Sequence, residues 1–331
     1  MHCYIRAGEP LSDELTTEEW KSVFSQLRDL GTEDLYILGG EPIMRGDIFE
    51  LISYASGIGL RVSMSTNGTL IGRDEARRLA EAGLAEAQVS IDGPTAAVND
   101  AIRAPGSFTA AVSAVRFLKS AGVRVTLGYV VTPLNHRHVL DFLRLAEELG
   151  VDAVTFEAVV PFGRAADRGL RLPRELGLSV VRDLLGYRGP VKVYFSSMRF
   201  YLPDLYGSFR AALEYLGPRA SAYTTCLAGR TRMVIDSNGD VYGCELFIPF
   251  RASEGNVRRT DLKTIWLNGF GWIRARTSGI PENCRSCPMA SLCRGGCPAR
   301  AMAHSGTPWA PDPWCPLIAG GPKTLTSEGP R

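Results

Sequence analysis

What the sequence lacks narrows its class first. No uninterrupted apolar run approaches the ~20 residues needed to span a bilayer. No apolar signal segment opens the chain, which begins Met-His-Cys-Tyr-Ile-Arg-Ala-Gly, so an exported, disulfide-stapled protein is not expected. Neither sign of charge dominates: 37 Lys and Arg stand against 35 Asp and Glu, a net charge of +2. Charge therefore gives no reason to expect nucleic acid or a membrane surface as partner. Histidine is scarce, and of the four present His136, His138 and His304 are explained as surface or packing residues rather than ligands. What remains is an ordinary composition, 45% hydrophobic and 22% charged over 331 residues, with room for one large domain and a smaller one.

Cysteine, by contrast, is concentrated. Seven of the eight cysteines fall between Cys226 and Cys315, in the order Cys226, Cys244, Cys284-x2-Cys287-x5-Cys293-x3-Cys297 and finally Cys315. So many soft sulfur ligands in one short stretch form a metal-binding array. Cys284-Arg-Ser-Cys287 can present two sulfurs on one face of a tight knuckle, and Gly295, Gly296 and Pro298 mark short turns beside the next two. The spacing suits iron-sulfur clusters, which take four thiolates each. Structural zinc and disulfides are the alternatives, although seven cysteines divide badly into zinc-ribbon pairs. Free thiolates call for a reducing compartment, which makes the cytoplasm the expected location.

Ahead of the array, short apolar runs alternate with amphipathic stretches, the pattern of βα units around a parallel sheet. Strands are predicted at 34–38, 60–64, 87–91, 123–131 and 154–160, with a further one at 191–196. Helices are predicted at 18–30, 47–56, 73–82, 108–121 and 139–149. Thr16 with Glu19 forms a capping box before the first helix. A helix at 209–216 and aromatic packing between Tyr194 and Phe209 are expected in the less regular stretch that follows. Beyond it, 233–236 and 240–242 flank Asn238-Gly239, a two-residue hairpin turn signal.

Polar residues collect where these strands end, the edge at which parallel βα folds build their sites. The first strand runs into Gly39-Gly40-Glu41-Pro42, the second into Ser65-Thr66-Asn67-Gly68, the third into Ser90-Ile91-Asp92-Gly93-Pro94 and the fifth into Pro161-Phe162-Gly163-Arg164-Ala165. Each alone reads as a turn; together, at one end of successive strands, they read as a site. For Asp92 a turn-capping role is expected, since Asp-Gly-Pro is good turn chemistry without a ligand.

These strand-end sequences, with Asn99-Asp100 and Arg103, and the cysteine spacing resemble the radical S-adenosylmethionine (SAM) enzymes that carry a C-terminal SPASM domain. The likeness covers nearly the whole chain. It implies an α/β fold, a partial (β/α)6 TIM-like barrel lacking its first strand, followed by a small cysteine-rich domain with a β-hairpin. The implied division is a barrel at 1–198, a connector at 199–225, an auxiliary-cluster domain at 226–316 and a flexible tail at 317–331. Of the family's C-x3-C-x2-C motif only the last member is present: His2-Cys3-Tyr4 matches its end, with His2 at the aromatic position. The first two cysteines would fall just before Met1 and four residues earlier, so the resemblance implies that the chain starts inside its own cofactor loop and is inactive as it stands.

The resemblance also assigns roles. Cys3 would bind the catalytic [4Fe-4S] cluster. Cys226, Cys244 and Cys297 would hold a first auxiliary [4Fe-4S] cluster with its fourth site open, and Cys284, Cys287, Cys293 and Cys315 a second. Gly39, Gly40 and Glu41 would contact the methionine amino group of SAM, and Ser65, Asn67, Ser90 and Arg103 its ribose and carboxylate. Glu245, directly after Cys244, would accept a proton near the first auxiliary cluster, or else be a solvated residue at a hairpin end. The implied activity is release of a 5′-deoxyadenosyl radical for hydrogen abstraction from a peptide or protein, with ferredoxin or flavodoxin as reductant. A porphyrin or other small-molecule substrate, and a non-catalytic iron-sulfur carrier or scaffold, are the alternatives.

Overall fold

In the computed structural model the described residues are 2–195, 197, 198, 214, 226–287 and 290–315. The predicted helix at 209–216, most of the aromatic stretch before it, the connector at 199–225 apart from residue 214, and the tail at 317–331 lie outside them. The chain divides into two compact units, Met1–Ser197 and Met198–Arg331.

The first unit repeats one βα theme. Helix α1 (Thr17–Asp29) is followed by β1 (Asp34–Ile37), α2 (Ile48–Gly57), β2 (Arg61–Thr66), α3 (Arg73–Glu81) and β3 (Leu84–Ser90). Then come α4 (Ala96–Ile102), α5 (Ser107–Ser120), β4 (Arg124–Val131), α6 (Val139–Leu149), β5 (Ala153–Ala158), α7 (Gly163–Asp167), α8 (Arg174–Gly186) and β6 (Lys192–Tyr194). All strands are parallel and stand in sequence order β1 to β6. The first helix starts at the predicted capping box: Thr16 Oγ1 accepts from Glu19 N at 3.3 Å, and Glu19 Oε2 accepts from Thr16 N at 2.8 Å.

The core lies between sheet and helices, where Met64, Val89, Leu127 and Phe156 from the strands and Ile52, Leu79, Leu118 and Phe142 from the helices are all fully buried. Tyr129 packs 4.6 Å from Phe142 and 5.2 Å from Phe156 between ring centroids, and its hydroxyl donates to Asn135 O at 2.8 Å. An aromatic cluster whose one polar tip is satisfied loses nothing by burial. Because every strand runs the same way, all six carboxyl ends share one edge, and loops there can converge.

The second unit is built from much shorter pieces. Strands β7 (Val234–Ile235), β8 (Asp240–Tyr242) and β9 (Gly255–Asn256) form an antiparallel sheet. A 3-10 helix (Glu245–Phe250), α9 (Leu262–Asn268), α10 (Gly271–Ser278), a 3-10 turn (Glu282–Cys284), α11 (Ala290–Cys293) and α12 (Pro298–Ser305) follow or intervene. The hairpin is present, but its turn differs from the prediction. Ile235 pairs with Val241 and Asp236 N donates to Asp240 O at 2.8 Å, so the loop holds three residues, Ser237 to Gly239. Gly239 N donates to Asp236 O at 2.9 Å, and of the Asn-Gly pair only Gly239, at φ 89°, is left-handed. This is the three-residue loop closed by a left-handed glycine, because the two-residue turn needs positive φ at both central positions and Asn238 does not adopt it. Asn238 instead donates to Asp240 Oδ2 at 3.0 Å and accepts from Asp240 N at 3.1 Å.

Candidate functional site

At the carboxyl edge of the first unit, Glu41 is a strut between two strands. Its Oε1 accepts from Thr66 Oγ1 and its Oε2 from Asn67 N, both at 2.7 Å, tying the end of β1 to the end of β2. Burial pushes the Glu41 carboxyl up, against hydrogen bonds from Asn67 N, Thr66 and Ile43 N and the charge of Arg103. Gly39 and Gly40 directly precede Glu41 in the chain, so the strut anchors the segment that carries them. Asn67 is itself committed: its Oδ1 accepts from Thr69 N at 2.7 Å and Thr69 Oγ1 at 2.6 Å, an Asx turn. Both lone pairs of that oxygen are engaged, so only the NH2 end remains for a ligand. Ser65 and Ser90 stand half-buried on the neighbouring strands β2 and β3.

Asp92 is not a turn cap, contrary to expectation. Its side chain is wholly buried, with Oδ2 2.6 Å from His2 Nε2 and 2.7 Å from Arg103 Nε, and Oδ1 accepting from Val130 N at 2.8 Å. The Arg103 contact is one of charge and distance, since the Nε hydrogen does not point at the oxygen. Burial alone would push this carboxyl up, but the charges of Arg103 and His2 and the hydrogen bonds from His2 and Val130 N hold it well below the usual carboxylate range. Asn99 completes the hub by accepting from Asp92 N at 2.8 Å. A signal was available in the sequence. Ala87, Val89 and Ile91 are buried apolar positions two apart, so alternation puts Ser90 and Asp92 together on the other face of the chain.

The Cys3 loop lies over the same edge. Ala7 N donates to Cys3 Sγ at 3.3 Å, Arg164 N donates to Cys3 O at 3.0 Å, and Arg164 Nη1 donates to Ala7 O at 2.9 Å. Arg6 grips Asp167 with both guanidinium nitrogens. Gly163, at φ 54°, is required: a Cβ there would lie 2.4 Å from Cys3 O and 2.5 Å from Tyr4 O. A Cβ on Gly40 would lie 3.5 Å from that of Ala7. The structure thus brings Cys3, Gly40, Glu41, Asn67 and Arg103 to one edge, with Asp92 and Gly163 as supports to which the sequence had assigned no ligand-positioning role.

In the second unit Cys284, Cys287, Cys293 and Cys315 line one pocket, together with Gly295 and Asp312. Asp312, only 1% exposed, holds its walls: Oδ2 accepts from Cys297 N at 2.7 Å and Oδ1 from Trp314 N at 3.0 Å, while Arg300 binds both oxygens. Among the described residues no three Cys, His, Asp or Glu side chains are grouped as a single ion requires. Four cysteines lining one pocket match the number of thiolates that an iron-sulfur cluster takes.

The other three array cysteines are arranged differently. Cys226 and Cys297 both lie in the field of the buried Arg276. Cys244, at the end of β8, points its thiol at Glu245 Oε2, 3.2 Å away. Burial and the Glu245 charge push the Cys244 thiol up, against Arg232 and Leu246 N. Glu245 is not a freely solvated residue, because Arg232 Nη2 donates to its Oε2 at 2.5 Å. His136 Nδ1 lies 3.0 Å from Pro133 O and His138 Nδ1 3.8 Å from Asp141.

Comparison with known proteins agrees with this geometry. Residues 1–146 match the model of the Radical SAM superfamily, and residues 226–288 that of the SPASM iron-sulfur cluster-binding domain. The chain is 33% identical over 329 residues to the AdoMet-dependent heme synthase of Oleidesulfovibrio alaskensis, covering 95% of this chain and 82% of that one. It is 35% identical over 327 residues to the mycofactocin maturase MftC of Mycobacterium ulcerans, covering 97% and 85%. Among solved structures, Streptococcus suis SuiB bound to its precursor peptide SuiA superposes with a TM-score of 0.75 at 20% identity, over 96% of this chain and 72% of that one. That last likeness speaks for the fold alone.

Proposed function

The chain belongs to the radical SAM superfamily and carries a C-terminal SPASM domain, and on that premise we propose that it modifies a peptide or protein side chain by hydrogen abstraction. When bound, SAM and a reduced [4Fe-4S] cluster supply a 5′-deoxyadenosyl radical, and the protein supplies positioning and exclusion of water. Cys3 offers one cluster thiolate from a loop pinned by Arg164 and Gly163. The Gly39 and Gly40 carbonyls, with Glu41 behind them, receive the methionine amino group. Ser65, the Asn67 amide, Ser90 and Arg103 hold the ribose and carboxylate, and Asp92 fixes Arg103 from behind.

In the second unit Cys284, Cys287, Cys293 and Cys315 hold one auxiliary cluster, and Cys226, Cys244 and Cys297 another. Glu245, shared between Cys244 and Arg232, accepts a proton from substrate. A ferredoxin or flavodoxin supplies electrons in a reducing cytoplasm. The single observation that carries the reading is the ring of four cysteines around one pocket, in a chain whose other unit arranges a cysteine loop over the strand ends. A peptide substrate is favoured by the maturase relatives. A porphyrin is the second reading, because a heme synthase is similar over 95% of the chain.

The test compares the 331-residue chain with one extended upstream so that a Cys-x3-Cys run precedes Met-His-Cys. Both are reconstituted anaerobically, reduced and given SAM. The extended chain releases 5′-deoxyadenosine and the shorter one does not; fully loaded extended protein that leaves SAM intact would overturn the catalytic reading. Candidate peptides and iron porphyrins, added in separate arms, stimulate release only in the arm holding the substrate class.

A further inference from the structure

Arg276, on α10, has no exposed surface at all. Each nitrogen of its guanidinium donates to main-chain carbonyls: Nε to Pro308 O, Nη1 to Arg294 O at 2.6 Å, and Nη2 to Gly295 O at 3.1 Å and Ala310 O at 3.4 Å. These acceptors are neutral. Among the described residues no carboxylate stands within ion-pair distance of Arg276, whereas the unit's other buried arginine, Arg300, grips Asp312. Every guanidinium nitrogen is thus hydrogen-bonded, through four of its five N–H groups, while the charge has no carboxylate partner at ion-pair distance among the described residues. A buried cation in that condition is strongly disfavoured unless negative charge arrives from somewhere.

The surroundings show where it would come from. The ionisable groups acting most strongly on Arg276 are the thiols of Cys284, Cys226 and Cys297 and the carboxyl of Asp312. Cys284 belongs to one proposed ligand set and Cys226 and Cys297 to the other. Gly295 lines the four-cysteine pocket, and a Cβ added to it, at φ 78°, would come within 3.0 Å of Arg276 Nη2. The same Cβ would meet the Pro281 ring first, at 2.5 and 2.8 Å, so glycine lets both Pro281 and the guanidinium pack directly behind the pocket wall.

We infer that Arg276 is the built-in countercharge of the auxiliary iron-sulfur centres, a buried cation behind the wall of the four-cysteine pocket that raises their reduction potentials. The inference rests on the iron-sulfur reading above. Thiolate-ligated clusters become more negative on reduction, and net charge near the cluster is one of the determinants of potential. A cation that cannot move therefore favours the reduced state.

Arg276→Gln removes the charge and keeps a donor, while Arg276→Lys keeps the charge and loses the fork. Iron and sulfide are counted, and reduction is followed by electron paramagnetic resonance in a redox titration. Wild type without iron and sulfide would sink the parent reading, separately from this one. With wild type loaded, R276Q holds equal iron but its reduction equilibrium falls tenfold or more, about 59 mV for one electron, and R276K stays near wild type. Should R276Q fail to load while R276K loads with near-native potential, the charge is still the required feature. Loaded R276Q with an unmoved potential overturns the inference, as does failure of both variants to load, which would assign Arg276 to loop geometry alone.

Discussion

The two units bury charge in opposite ways. Among the described residues the first unit has one fully buried charged side chain, Asp92, placed at the functional edge, while its core is Met64, Val89, Leu127, Phe142, Phe156 and their neighbours. The second unit, with strands of two or three residues, buries Arg276, Arg300 and Asp312. A sheet of six strands closes over apolar side chains and can place polar groups at its rim at little cost. A small unit of short elements cannot bury as much, and here its buried polar groups surround cysteines. The first unit would therefore hold a cofactor on a scaffold already stable, and the second would be stabilised by what its cysteines bind.

The largest effect expected from this contrast is on metal removal. Stripping iron and sulfide should abolish hydrogen-exchange protection over 226–315 and leave it intact over 34–194, because cluster binding and folding are one equilibrium in a small metal unit. Equal survival of both units would show that the second unit folds without its metal.

Next come the buried anions. Asp312→Ala leaves Arg300 buried without its partner and releases Cys297 N and Trp314 N; loss of about 3–5 kcal/mol is expected, confined to the second unit's transition in denaturant. Asp92→Ala should cost about as much in the first unit. It also carries a pH signature. The folded-state pKa of Asp92 is depressed, so the folded chain binds fewer protons there than the unfolded one, and its stabilisation is full above the unfolded pKa of about 3.9. That stabilisation is lost as the medium becomes strongly acid, and Asp92→Asn should remove this part of the acid limb.

Smaller effects sharpen the apolar side. Ile52→Ala, at a fully buried position of α2, should cost about 2–5 kcal/mol without changing iron content. Thr16→Ala, which opens the capping box of α1, should cost about 1 kcal/mol, measurable as a shift of the first unit's midpoint alone.

Much of this was legible in the sequence, and the parts that were not share a cause. Period-two and helical patterning found β1 to β5 within a few residues, because apolar burial is what those patterns encode. Helix α8 is poorly marked in the sequence, because Gly177 takes a place on its buried face beside Val180, Val181 and Leu184. The turn at Asn238-Gly239 was mistyped because the dipeptide serves both loop lengths, and register decides between them. The cysteine spacing marked a metal-binding array, and it was the family resemblance that grouped Cys284, Cys287, Cys293 and Cys315, the four that line one pocket. Arg276 was invisible, since nothing local distinguishes an arginine that faces water from one enclosed by carbonyls of residues 294, 295, 308 and 310. Asp92 reads as turn chemistry because its partners His2, Arg103 and Val130 come from three separate segments, and the alternation of Ala87, Val89 and Ile91 marks only its face.

The central claim, that Cys284, Cys287, Cys293 and Cys315 hold an iron-sulfur cluster, is tested most directly by Mössbauer spectra and iron and sulfide counts on anaerobically reconstituted wild type and the Cys284→Ala, Cys287→Ala double variant. The prediction is that wild type carries [4Fe-4S] signals and the variant loses about four irons and four sulfides per chain. Unchanged iron in the variant, or zinc in place of iron in the wild type, would contradict it.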